Sequence, residues 1–208
     1  VQRCKVILDS MGRSGKDDLQ IKIVPITNLI EEAAEPHSKR NKVINITHTF
    51  QKNKSESIPN IHRQPEIIHG LRNLIQNAVD FAKTEIWIDT TWNERTISVQ
   101  ICDDGDGYPA DIFGRIGDPF IKRRDTFISK DSHPEYEGMG LGLFIAKTLL
   151  ERSGAQISFS NGSDLKYKKK HNDQLKGAIA EVTWIRSIIE DPNQNKMIGL
   201  GENQQFEI

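Results

Sequence analysis

Three short constellations in this 208-residue chain combine residue types that could hold a ligand. In a stretch of strong helical periodicity, Asn73 and Asn77 stand one turn apart with Asp80 close beside them, on a flank well off the apolar stripe. Asparagine is a mediocre helix former, so two stacked in a helix interior need a reason. One reading is a solvated polar face. The other is an amide oxygen turned toward a hard cation such as Mg²⁺, which takes oxygen ligands and keeps several waters. His69, a turn earlier on the same flank, reads as an ordinary surface histidine. The second constellation, Asp103-Asp104-Gly105-Asp106-Gly107, ends a β-rich run. A carboxylate there can accept a hydrogen bond from an exocyclic amino group such as that of adenine, and glycines let backbone approach a flat ligand. A plain hairpin turn fits the same residues, and a calcium loop is disfavoured because the EF-hand Gly and Glu positions are missing. The third, Gly138-Met139-Gly140-Leu141-Gly142-Leu143, precedes a helix, where free N–H groups favour anions. It matches neither the phosphate-loop pattern, lacking Gly-Lys-Ser/Thr, nor the dinucleotide fingerprint, lacking a parallel βαβ unit.

These residues need elements to position them. The strongest helix is expected from Pro65 to about Ala82, with Ile67, Ile68, Leu71, Ile75, Ala78, Val79 and Ala82 on one stripe. A shorter helix is expected over Pro25 to Ala34 and another from the Gly-rich run to Ser153-Gly154. Strands are expected at Lys42 to Phe50, Glu85 to Thr91, Thr96 to Cys102, Ala155 to Ser160 and Ala178 to Ile185. Gln51 to Gln64 reads as polar connection, and the chain after Ser187 as a polar, frayed tail. Tyr108 to Glu137 lacks clear structure, which is long for a compact domain and typical of lids and binding loops. Such segregated elements favour an α/β sandwich, one mixed or antiparallel sheet with helices on one face.

Composition limits the partners. Lys plus Arg number 28 against 29 for Asp plus Glu, so charge gives no pull toward nucleic acid or an anionic membrane. The longest apolar run, Leu141 to Ala146, is far short of a bilayer span. Two cysteines almost a hundred residues apart, Cys4 and Cys102, cannot form a disulfide framework or a cysteine zinc site. A reducing compartment is the default expectation.

Taken in order, Asn73-Leu74-Ile75-Gln76-Asn77, Asp103-Asp104-Gly105-Asp106-Gly107, Asp118-Pro119-Phe120 and Gly138-Met139-Gly140-Leu141-Gly142-Leu143 resemble the four boxes of the ATP-binding domain of sensor histidine kinases. That domain shares the Bergerat-type fold with gyrase, the ninety-kilodalton heat-shock chaperone and the mismatch-repair ATPases. The resemblance covers about Leu19 to Arg186. Asn77 to Ala82 and Phe144 to Ala155 further resemble the redox-responsive RegB/PrrB type.

The resemblance implies a mixed, mostly antiparallel sheet covered by helices on one face, with a mobile ATP lid between Tyr108 and Glu137. It implies Asn77 as the Mg²⁺ ligand with Asn73 assisting, Asp103 on the adenine amino group, and Gly105 and Gly107 shaping the pocket. Gly138, Gly140, Leu141 and Gly142 would wrap the triphosphate of ATP, and Phe120 would pack the lid. Asp80 stands where many members carry Lys, so phosphate-side charge would come from Lys83, Lys122, Arg123 or Arg124. Related hydrolases place a glutamate where Asn73 stands, and a neutral amide cannot act as a general base. The expected activity is therefore transfer of the γ-phosphoryl group to a histidine, then to an aspartate of a response regulator.

No histidine here precedes Asp or Glu as the family's phosphoacceptor usually does. The expectation is a fragment: residues 1–18 as the remnant of a dimerisation helix and linker, 19–187 as the catalytic domain, 188–208 as a polar tail. The phosphoacceptor domain of the same protein, a homodimer and a response regulator are the implied partners, with the parent protein anchored in an inner membrane and this part facing the cytoplasm. Cys4, between Arg3 and Lys5, is the candidate regulatory thiol of that redox-responsive type. The rival expectations are an ATPase of the gyrase or chaperone class, a protein-serine kinase of the anti-sigma type, and a non-catalytic docking module.

Overall fold

The structure, a computed structural model, describes residues 23–38, 42–50, 57–111, 113–118, 141–162 and 177–190. Its elements run β1 (Ile23–Pro25), α1 (Ile26–Ala34), β2 (Val43–Phe50), β3 (Asn60–His62), α2 (Pro65–Phe81), β4 (Glu85–Trp92) and β5 (Thr96–Asp103). They continue with α3 (Gly142–Arg152), β6 (Gln156–Asn161), β7 (Ala178–Ile185) and α4 (Arg186–Ile189), with 3₁₀ turns at Glu35–His37 and Phe113–Arg115. A five-stranded sheet has the order β2-β4-β5-β7-β6, parallel between β2 and β4 and antiparallel elsewhere. The short strands β1 and β3 pair antiparallel on their own.

Alternation along the strands decides which face is covered. Ile86 and Ile88 of β4, Ile97, Val99 and Ile101 of β5, and Ala180, Val182 and Trp184 of β7 all enter one core with α1, α2 and α3. Burying each larger aliphatic side chain contributes about 1.5–3 kcal/mol. The opposite face carries the residues between them, among which Cys102 and Ile179 form a small buried apolar pair, with Trp87 against it. Cys102 is thus packing, as expected of a cysteine within a strand.

Helix α2 starts with Pro65 at its first position, where a missing N–H costs nothing, and ends at Phe81. Lys42 caps that end from β2's side, donating to the carbonyls of Ala82 (2.6 Å) and Lys83 (2.5 Å). Its buried stripe is the expected one widened by Leu74 and Gly70. At Gly70 the helix meets α3: a Cβ there would lie 2.5 Å from Leu150 Cγ, so glycine sets how closely the two helices approach. The far end of α3 is tied to the sheet. Ser153 Oγ donates to the carbonyl of Leu150 (2.6 Å) and accepts from Trp184 Nε1 (2.9 Å), all buried.

Two expectations need correcting. The stretch Gln51 to Gln64 contains β3, which holds β1 across Ile61, itself fully buried. The chain after Ser187 does not fray at once: α4 buries Ile189 completely, and Arg186 pairs with Glu190 at 2.8 Å. The fold therefore reaches Glu190, past residue 188 where a polar tail was expected. Tertiary packing, with Ile188 lying against Gly154, does what local sequence signals do not announce.

Gly70→Ala should cost about 1–3 kcal/mol, because the added methyl must displace Leu150 and spread α2 from α3. Urea unfolding checks this, and an unchanged midpoint would show that the contact opens freely.

Candidate functional site

Asp103 closes β5 with its side chain on the covered face and only 2% of its surface exposed. Its Oδ1 accepts from the backbone N–H groups of Gly105 (2.8 Å) and Ala178 (3.1 Å). Burial pushes its carboxyl above the ordinary value of 3.8; the two N–H groups draw it back, and the nearby Asp104 and Asp106 charges add to the rise. No hydrogen bond to Oδ2 is made among the described residues. A buried carboxylate thus keeps one acceptor unused, and it lines a pocket. The close fit around it requires small neighbours. A Cβ on Gly177 or Gly105 would run into Asp103 itself, and on Gly105 also into the Phe81 carbonyl.

The other two aspartates of the turn serve different purposes. Asp104 receives the N–H groups of Lys83 (2.7 Å) and Thr84 (2.9 Å) and the Thr84 hydroxyl (2.5 Å), fastening the turn to the α2–β4 corner. Burial alone would raise its pKa, but these donors together hold it below the ordinary range. Asp106 is exposed and pairs with Lys83 Nζ at 2.7 Å. Lys83, considered for the phosphate side, is thus engaged at the turn. Gly107 has φ +78°, the left-handed region that glycine enters without strain.

Helix α2 supplies Leu74, Asn77 and Ala78 to the same pocket, β5 and β7 supply Ile101, Ala178 and Ala180, and α3 supplies Leu143. Tyr108 completes the lining. Burial, with Asp103 and Cys102 nearby, raises its phenol well above the ordinary tyrosine value. The first turn of α3, from Gly142, opens beside the pocket at Leu143, and the earliest N–H groups of a helix have no intrahelical partner.

The sequence-predicted residues separate accordingly. Asn77 and Asp103 come together in the pocket, Gly105 and Gly107 shape the turn beside it, and Leu141 and Gly142 begin α3. Asn73 is half-buried, does not line the pocket, and donates its amide N–H to the His69 carbonyl at 2.8 Å. Asp80 is exposed and accepts from Gln76 Nε2 at 2.6 Å, away from the lining residues. His69 is half-buried, and burial with Arg72 lowers its pKa against the opposing Glu66 charge. Cys4, Phe120, Gly138, Gly140, Lys122, Arg123 and Arg124 lie outside the described residues, as does most of Tyr108 to Glu137. Residues that sequence reasoning passed over are Leu74, Ile101, Tyr108, Ala178, Ala180, Gly177 and Asn161. The first five are apolar or aromatic residues whose alternate role, core or pocket, depends on what packs opposite.

A helical layer over a mixed sheet, with a pocket between the helices and the sheet and a strand-ending carboxylate in its lining, is the Bergerat-type fold. The chain belongs to the histidine kinase-, DNA gyrase B-, and HSP90-like ATPase family, which matches residues 62–185. It is 53% identical over 182 residues to the sensor histidine kinase RegB of Cereibacter sphaeroides, a match covering 88% of this chain and 39% of that protein. The chain therefore spans well under half of that relative's length. The mycobacterial sensor histidine kinase MprB has the same fold, with a TM-score of 0.57 at 17% identity over 78% of this chain and 97% of that one. Full-length ShkA in complex with AMPPNP gives 0.55 at 20% identity, over 86% of this chain and 34% of that one.

Asp104→Asn should lower stability by roughly 1 kcal/mol at neutral pH, a small figure because the group is near solvent. The folded pKa lies below the unfolded value near 3.8, so this contribution is present above 3.8 and disappears as pH falls through the folded value. Unfolding of both proteins across acidic pH should show the gap closing; a pH-independent gap would contradict the assigned role.

Proposed function

We propose that this chain is the ATP-binding kinase core of a two-component sensor histidine kinase. It holds MgATP and donates the γ-phosphoryl group to a histidine on a dimerisation domain, for relay to an aspartate of a response regulator. The observation that carries this reading is Asp103: a carboxylate buried in a largely apolar pocket, with one oxygen that takes no hydrogen bond from the described residues, is matched by the exocyclic amino group of adenine. The ring would lie among Leu74, Ile101 and Ala180. The phosphates would then reach toward the start of α3, whose free N–H groups and dipole favour negative charge.

Asn77 suits a Mg²⁺ ion on chemical grounds. It offers a neutral amide oxygen at the pocket, and no cluster of three His, Cys, Asp or Glu residues among the described residues competes as a full protein cage. Mg²⁺ commonly takes one or two protein oxygens, completing its shell with water and phosphate. Bound there, it would neutralise charge on the transferred phosphoryl group. Asn73 has no proton-accepting carboxylate and its N–H is held by the His69 carbonyl, which supports holding ATP for an incoming histidine over activating water. The likeness to RegB supports a redox-responsive parent, with Cys4 as its regulatory thiol, assembled as a homodimer and anchored in an inner membrane. No helix of the described residues is long and apolar enough to cross a membrane.

Calorimetric titration with AMP-PNP should show binding that Mg²⁺ strengthens, and Asn77→Ala should remove that strengthening, a loss of about tenfold. With γ-labelled ATP the chain alone should carry no stable phosphohistidine, whereas a separately supplied dimerisation hairpin should become labelled. Steady ATP turnover by the chain alone would favour the ATPase class, and absence of nucleotide binding would favour a docking module.

A further inference from the structure

Asn161, the last residue of the edge strand β6, makes an unusual contact across the sequence. Its Oδ1 accepts the Tyr108 N–H (2.7 Å) and its Nδ2 donates to the Tyr108 carbonyl (3.0 Å), two bonds linking residues 53 positions apart. One side-chain amide thereby imitates a rung of a β-ladder and engages both backbone groups of a single residue. The preceding Gly107 takes its left-handed turn directly against it: a Cβ at Gly107 would lie 2.7 Å from Asn161 Oδ1. The Tyr108 ring is fixed as well. It stands edge-on to Phe159, two residues before Asn161 on β6, at 5.8 Å and 82°, and to Phe113 at 6.4 Å and 72°. Tyr108 lines the pocket with Asp103, and its phenol is buried with that carboxylate nearby.

We propose that Asn161 is a positioning residue for base recognition: through Tyr108 it sets the aromatic wall against which a purine bound by Asp103 is seated. This rests on the nucleotide reading above. A carboxylate reads only one edge of a flat base, so the base's tilt must be fixed by a surface, and a rigid aromatic side chain supplies that surface at little entropic cost. If the amide served only to close the β6 edge, its loss would lower stability without touching base affinity.

The test is a double-mutant cycle on the whole chain, using AMP-PNP and adenosine as probes by calorimetry, with thermal midpoints recorded alongside. Asn161→Ala and Tyr108→Leu should each weaken AMP-PNP by about tenfold, and adenosine by the same factor, because the effect lies at the base. Combined, they should be no worse than Tyr108→Leu alone. Asn161→Asp, which keeps the acceptor and loses the donor, should fall between wild type and Asn161→Ala, and it serves where the alanine variant does not fold. Gly107→Ala should reproduce the loss by pressing on the same amide. A lowered thermal midpoint with unchanged affinities, or losses that simply multiply in the double variant, would overturn the proposal. Wild-type chain that binds neither probe would instead remove the nucleotide reading beneath it.

Discussion

The structure is arranged around one costly feature, the burial of the Asp103 carboxylate. Taking a carboxylate out of water is expensive unless hydrogen bonds replace the lost solvent. Here two backbone N–H groups do so in part, from the turn at Gly105 and from the start of β7 at Ala178. The two other aspartates of the turn make the position harder to hold, since both add negative charge nearby. Among the described residues Oδ2 takes no hydrogen bond, and the carboxylate lines the pocket.

Much of the surrounding framework serves to hold that carboxylate against the two helices. Asp104 fastens the turn to the end of α2, and Lys42 caps the same end from the β2 side. The contact of Gly70 with Leu150 fixes α3 against α2, which brings Leu143 opposite Asn77 and Asp103. Trp184 and Ser153 then tie the far end of α3 back to the sheet through buried hydrogen bonds. The pocket lies where these restraints meet, between a sheet end and two helices whose spacing is set by a missing methyl group.

Long, strongly patterned elements were legible in the sequence. The periodicity of Ile67, Leu71, Ile75 and Ala78 located α2, and the apolar run Ala178 to Ile185 located β7 with the bounds found in the structure. Strands β1 and β3 were not legible, because three residues each carry too little pattern and their pairing partners are distant in sequence. Helix α4 is short and gains its place by packing Ile189 into the core. At the site, Asp103 and Asn77 could be read because their residue types and order are distinctive. Gly177 and Asn161 could not, since a lone glycine before a strand and a lone asparagine at a strand end acquire meaning only from what folds against them. Asn73 and Asn77 show the limit from the other side. Identical residues one turn apart occupy different surroundings, one lining the pocket and the other bonded to its own helix backbone.

The most direct measurement is the thermal midpoint of wild type and Asp103→Asn, each with and without Mg²⁺ and AMP-PNP. Because burial raises the Asp103 pKa, the ionised form weakens the fold once pH rises through the folded value, so the neutral asparagine removes a cost at pH 7. Its amide oxygen can still accept from Gly105 and Ala178. The expected result is a nucleotide-free midpoint equal to or above that of wild type, together with loss of most of the nucleotide-induced rise. A lower nucleotide-free midpoint with an intact rise would contradict it, making Asp103 a structural residue and placing nucleotide recognition elsewhere.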